Sequence, residues 1–155
     1  MLEKILPRYI DNHFQGQKLA VWFFVLIVAF KTVQSLAVVF GGSFVITSAD
    51  GIPLDTYSPA AGQTVVSLWA LLGLTRFWIC FLCVLVLFRY RSLLSFMFVI
   101  LLLSDLGRIL VLHYIPIVRT GSPMGPTVNL VLFTLTIVGL VLSLWAKNHQ
   151  PEQSA

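Results

Sequence analysis

The sequence predicts an all-α integral membrane protein, a four-transmembrane-helix bundle with an N-terminal amphipathic interfacial helix, and three observations carry the prediction. Composition is the first: 58% of the 155 residues are hydrophobic and only 10% are charged, against about 25% charged in soluble domains. The mean hydropathy of +0.93 agrees. The second is that the apolar residues fall into four runs, at 18–40, 64–88, 92–115 and 127–146. Each is long enough, at about 1.5 Å per residue, to cross a hydrocarbon core of about 30 Å. The third is that the basic residues outside the runs gather on one side of them, as they do in membrane proteins whose orientation they set.

Taken in order, residues 1–17 place Leu2, Ile5, Leu6, Tyr9, Ile10 and Phe14 at helical spacing opposite Glu3, Lys4, Arg8, Asp11 and Asn12. That is the pattern of a cytoplasmic amphipathic segment lying in the interface, interrupted by Pro7. The apolar run beginning at Leu19 continues past Lys31 and Gln34 to Phe40 without a small-residue cleavage site, so it reads as a full span rather than a signal peptide. The connection 41–63 is the longest and holds Asp50, Gly51, Pro53, Asp55, Pro59 and Gly62, residues that favour turns. It contains no Lys or Arg. Spans two and three are joined tightly through Arg89 and Arg91. Residues 18–147 thus read as one membrane domain, followed by a flexible cytoplasmic tail at 148–155.

The basic residues orient this domain. Lys4, Arg8 and Lys18 precede the first span, Arg89 and Arg91 form the second connection, and Lys147 follows the last span, whereas the two opposite connections offer only Arg119. Both termini are therefore expected in the cytoplasm, with the protein in a bacterial inner membrane. The net charge of +4 reflects this topology, and dispersed bases of this kind exclude nucleic acid as a partner. The architecture resembles that of small four-span bacterial membrane proteins, a likeness that carries no function.

Four charges lie inside the spans: Lys31, Arg76, Asp105 and Arg108. Each costs roughly 2.5 to 3.5 kcal/mol at a bilayer centre, so such residues turn inward to pair or to line a wet cavity. With the orientation above, Lys31 lies about nine residues below the outer end of its span, Arg76 about twelve, Asp105 about ten and Arg108 about seven. The expectation is one polar cluster in the outer half, and the candidate ligand-binding residues are Lys31, Gln34, Arg76, Asp105, Arg108 and His113. Asn129 lies toward the same surface. Gly107, beside the pair on span three, is expected to admit close helix approach.

Three cations facing one acid need compensation, because an unpaired buried charge is expensive. Two sources are available. Asp50 and Asp55 can supply it if the connection 41–63 folds back as a lid; an anionic ligand can supply it through the bidentate fork that Arg offers. Arg76, nearest mid-span, is expected to pair with Asp105 or with such an anion. The competing structural reading is a charge network that only fixes helix register.

Other features point to less. Cys80 and Cys83 have the spacing of a redox pair, and four-helix quinone-linked oxidoreductases exist, but two thiols among apolar neighbours read better as small buried hydrophobes. They share a stripe with Trp69, Gly73 and Arg76 that is expected to face the bundle. Gly139 and Ser143 on span four form a small-xxx-small pair suited to close helix contact. The two aspartates of the first connection match no Ca²⁺ spacing, no zinc, Ser-His-Asp or phosphate-loop motif is present, and His113 stands about 12 Å along the helix from Asp105. No metal or cofactor is predicted, and catalytic residues stay open, Asp105 or His113 being the acid/base if the protein is an enzyme. Three function classes fit: a bundle binding a small anionic or amphipathic, lipid-like ligand; a non-catalytic subunit or scaffold with a membrane protein partner or a second copy of itself; and a membrane enzyme acting on a lipid-like substrate. Membrane lipid is a partner in all three.

Overall fold

The computed structural model describes residues 16–145 together with Ile5 and Asn12. The amphipathic segment expected at 1–17 and the tail at 148–155 therefore lie outside the described residues, apart from those positions. Four long helices make up the rest: α1 at Lys18–Ser48, α2 at Pro59–Arg89, α3 at Leu94–Tyr114 and α4 at Met124–Leu144. Short 3₁₀ turns at Leu54–Thr56 and Arg91–Leu93 join the first pair and the second pair of spans in sequence. All four helices are long and apolar enough to cross a membrane, which is consistent with a small multi-pass membrane protein. Among the described residues all regular structure is helical.

Two helices outrun their predicted spans. α2 starts at Pro59 because Ser58 caps it, its hydroxyl accepting a hydrogen bond from the Ala61 N–H at 3.4 Å, and Pro59 occupies the first helical position, where no N–H is needed. α1 bends at Gly42, whose φ of 47° and ψ of −128° break the helical path, and then resumes as far as Ser48. The connection expected at 41–63 thus shrinks to residues 49–58.

Many of the helix hydroxyls are satisfied locally. Thr32, Ser35, Thr75, Thr134 and Thr136 each donate to the carbonyl one turn back, at 2.7 to 3.0 Å. This removes the cost of an unpaired donor in an apolar medium.

The helices are arranged around the bundle in the order α2, α1, α4, α3. α1 packs most extensively on α2 and then on α4, α4 packs on α3, and α2 and α3 touch far less although they are neighbours in sequence. Two glycines set the close approaches. A Cβ at Gly73 would stand 3.1 Å from the side chains of Val38 and Val39, and one at Gly139 would stand 2.5 Å from the Phe98 ring. Gly139 therefore makes the close helix contact expected of it, within the chain.

Along the bundle axis the molecule divides in two. At the end marked by the Arg89–Arg91 turn, Ala20, Phe24, Ile27, Val28, Cys80, Cys83, Val86, Leu94, Met97, Phe98 and Leu101 form one continuous apolar core, with Phe24 and Phe98 edge to face at 5.0 Å. At the other end the core gives way to polar side chains beneath a cap. The cap is made of the connections 49–58 and 115–123, tied by hydrogen bonds from the Thr120 N–H to the Gly51 carbonyl at 2.8 Å and from the Gly125 N–H to the Ala49 carbonyl at 2.9 Å. Outward-facing Phe40, Phe44, Trp22 and Phe88 are 71 to 83% exposed, which is consistent with a lipid-facing surface.

Candidate functional site

Lys31 on α1 and Asp105 on α3 meet across the diagonal of the bundle. The ammonium nitrogen lies 2.8 Å from both carboxylate oxygens, and the two side chains are only 10% and 12% exposed. Asp105 is therefore neutralised by Lys31, so of the two partners expected for Arg76, Asp105 or an anion, the first is already taken. Lys31 crosses from α1 to reach it, and Arg76 lines both a small void beside the pair and the larger space above it.

That space is a half-open cavity of about 510 Å³, within the range of ligand pockets. α1 forms its back wall with Gln34, Ser35 and Val38; α2 lines one side from Trp69 to Ile79, including Arg76; and α3 lines the other from Ser104 to Ile115, including Arg108. The cap contributes Asp50 and Arg119 from above, and α4 contributes Asn129. A smaller void of about 20 Å³, lined by Arg76, Cys80, Ser104 and the Lys31–Asp105 pair among others, gives room for about one water below the main cavity.

The polar groups on the cavity wall are held in place by one another. The Trp69 indole N–H donates to a carboxylate oxygen of Asp50 at 3.0 Å. The Gln34 amide donates to Asn129 at 3.3 Å, and Asn129 in turn donates to the Gly125 carbonyl at 2.7 Å, joining α1 to α4. The arginines are different. Arg76 and Arg108 are half-buried and have no ion pair among the described residues, and the Nε of Arg119 is buried with no hydrogen-bond partner.

The structure thus brings Lys31, Gln34, Arg76, Asp105 and Arg108 together with Asp50. It does not bring in His113, which is exposed at the end of α3 with its ring against Tyr114, or Asp55, exposed in the 3₁₀ turn. His113 points away because the cavity face of α3 runs through Ser104, Arg108, Val111 and Ile115, and position 113 falls off that face. Gly107 lines the cavity with nothing within 4 Å of where a Cβ would be, so it leaves space instead of admitting a helix. Sequence reasoning leaves out Arg119, which as the lone base of the outer connections reads as a topology signal. The signal that could have found it is its position opposite the acid-bearing connection at Asp50.

Cys80 and Cys83 are free thiols buried in the apolar core. Among the described residues no three His, Cys, Asp or Glu side chains gather closely enough to hold a metal ion. What the cavity offers chemically is guanidinium donors in a partly dry setting, suited to holding an anion. The chain has no significant match among protein families, curated proteins or solved structures, so the functional reading rests on this geometry.

Proposed function

We propose that this is a four-span protein of the bacterial inner membrane, with both termini in the cytoplasm, whose outer-half cavity binds an anionic, lipid-like molecule. One observation carries the reading: with Lys31 and Asp105 neutralising each other, Arg76, Arg108 and Arg119 face the cavity against the single carboxylate of Asp50. Three arginines with apolar neighbours and one carboxylate on the cavity wall leave positive charge that an anion would balance. The apolar helix surfaces around them suit the hydrocarbon part of an amphiphile.

Orientation follows from Lys18, Arg89 and Arg91 at one end of the bundle, which favours that end as cytoplasmic. Exposed aromatics at both ends, Trp22, Tyr90 and Trp145 at one and Tyr57 and Tyr114 at the other, support two membrane interfaces. A helix-locking role accounts for the Lys31–Asp105 pair but leaves the three arginines without a purpose.

The test is native mass spectrometry of the protein purified in a mild detergent, with the Arg76→Gln/Arg108→Gln variant beside it. A reproducible anionic adduct, reduced several-fold in the variant, is the expected result. The reading fails if no adduct is seen, or if the variant carries it equally. Reporter fusions at the C-terminus should read cytoplasmic and an insertion beside Asp55 external; the reverse would place the cavity on the other face of the membrane.

A further inference from the structure

We infer that the cavity takes the dianionic phosphomonoester headgroup of a single amphiphile whose tail leaves sideways between α2 and α3. The inference deepens the anion-binding reading above and rests on it. Three observations support it: the charge left uncompensated, the shape of the opening and the size of the space.

Three guanidinium groups against one carboxylate leave an excess of two positive charges. A carboxylate or a phosphodiester brings only one negative charge. A phosphomonoester carries about −1.5 to −2 at neutral pH and presents three strong acceptor oxygens. Arg76 approaches from α2, Arg108 from α3 and Arg119 from the cap, so the guanidinium groups reach the cavity from three separate elements, an arrangement suited to a head with several oxygens. Arg119, on the cavity lining, also carries a buried Nε with no hydrogen-bond partner.

The cavity spans the weakest seam of the bundle. α2 and α3 are the loosely packed neighbours, and cavity-lining residues on both stay partly open to the surroundings: Leu72 and Val111 are each 58% exposed. Gly107, between Ser104 and Arg108 on the cavity face, places no side chain in the gap. A tail can therefore leave the cavity between two apolar helix edges without crossing a charge.

Size argues against a free anion. At about 510 Å³ the cavity has room for many more atoms than inorganic phosphate, given about 30 Å³ per water-sized group. Its upper walls, at Leu72, Val111, Leu112 and Ile115, offer such an ion nothing. A head with the first part of a chain uses both the arginines and the walls.

The experiment measures binding to the full-length protein in mild detergent by native mass spectrometry and by thermal stabilisation. The probes are dioleoyl phosphatidate, dioleoyl phosphatidylglycerol, oleate, inorganic phosphate and, as the uncharged-head control, dioleoyl phosphatidylcholine. Phosphatidate is expected to bind about tenfold more tightly than phosphatidylglycerol or oleate, the worth of one further charge-assisted hydrogen bond. Arg119→Gln should shrink that preference while leaving the helices folded. Lowering the pH from about 7.5 to about 5, across the second phosphate pKa of about 6, should remove the preference by taking the second charge from the head.

The charged groups facing the head are Asp50, Arg76, Arg108 and Arg119; α1 and α4 present Gln34, Ser35 and Asn129, and the Lys31–Asp105 pair lies beneath. Phosphatidylglycerol keeps its single charge across this pH range, so a loss confined to phosphatidate reports the ionisation of its own head. Equal binding of phosphatidate and phosphatidylglycerol overturns the phosphomonoester inference and leaves the anionic-amphiphile reading standing. Equal binding of inorganic phosphate overturns the amphiphile part. No anionic lipid binding more tightly than phosphatidylcholine overturns both.

Discussion

Lys31 and Asp105, 74 residues apart, form a two-oxygen ion pair at 2.8 Å across the diagonal of the bundle, and this pair separates the apolar core from the arginine-lined cavity. Its position matters more than its strength. By satisfying each other, these two charges leave the cavity arginines with only Asp50 to oppose them, and so give the site its sign.

The pair is expected to be costly to break and cheap to replace. Asp105→Leu leaves a buried ammonium unpaired and should destabilise the bundle by about 3 to 5 kcal/mol, whereas joint replacement of Lys31 by Met and Asp105 by Leu should cost much less. Thermal unfolding of both variants in the same detergent provides the comparison. Additive losses would mean that the two charges are held by other groups.

Asp50 and Asp55 should behave differently although they sit five residues apart. Asp50→Asn keeps an oxygen to accept the Trp69 N–H, so stability should change by less than about 1 kcal/mol, while the cavity loses its only acid and should retain anionic lipid more strongly. Asp50→Ala removes the acceptor as well and should cost about 1 to 3 kcal/mol through the unsatisfied indole. Asp55→Asn, at an exposed position, should match the wild type in unfolding and in bound lipid. Bound lipid per protein, measured by mass spectrometry, separates the three.

The contrast between these aspartates shows what the sequence can convey. Helix number, helix order and the charges inside the helices follow from hydropathy, and the clustering of Lys31, Arg76, Asp105 and Arg108 at one level follows from depth along each helix. Which cation meets Asp105 depends on helix rotation and on the side-by-side order α2, α1, α4, α3, and neither is encoded in depth. Likewise, nothing in the composition of the first connection distinguishes Asp50, which turns under the cap, from Asp55, which faces out. Arg119 sits beside Thr120, which is hydrogen-bonded to Gly51, a contact between residues far apart in sequence.

Two glycines on neighbouring helices should respond in opposite ways to the same substitution. A Cβ at Gly139 would press on the Phe98 ring at 2.5 Å, so Gly139→Ala must displace a fully buried aromatic and should cost about 1 to 3 kcal/mol. Gly107→Ala meets nothing within 4 Å and should be neutral or stabilising by up to about 1 kcal/mol through helix propensity. Unfolding midpoints of the two variants test the packing directly. A destabilised Gly107→Ala together with a neutral Gly139→Ala would contradict the α3–α4 interface described here.

The cap can be opened at one atom contact. Gly51 has a φ of 69°, and a Cβ there would meet the Thr120 carbonyl oxygen at 2.9 Å and the Pro123 ring at 3.0 Å. Gly51→Ala therefore combines a left-handed backbone strain of about 1 to 2 kcal/mol with a collision at the seam between the two connections. Gly121→Ala carries a similar φ of 70° with nothing within 4 Å, so it bears the strain without the collision. Limited proteolysis within 49–58 and 115–123 should accelerate much more for Gly51→Ala than for Gly121→Ala, while helix content stays that of the wild type. Because Arg119 and Asp50 both descend from this seam, bound anionic lipid should also exchange faster in Gly51→Ala. Equal cleavage rates in the two variants would show that backbone strain alone governs the cap and that the Gly51–Thr120 contact does not hold it closed.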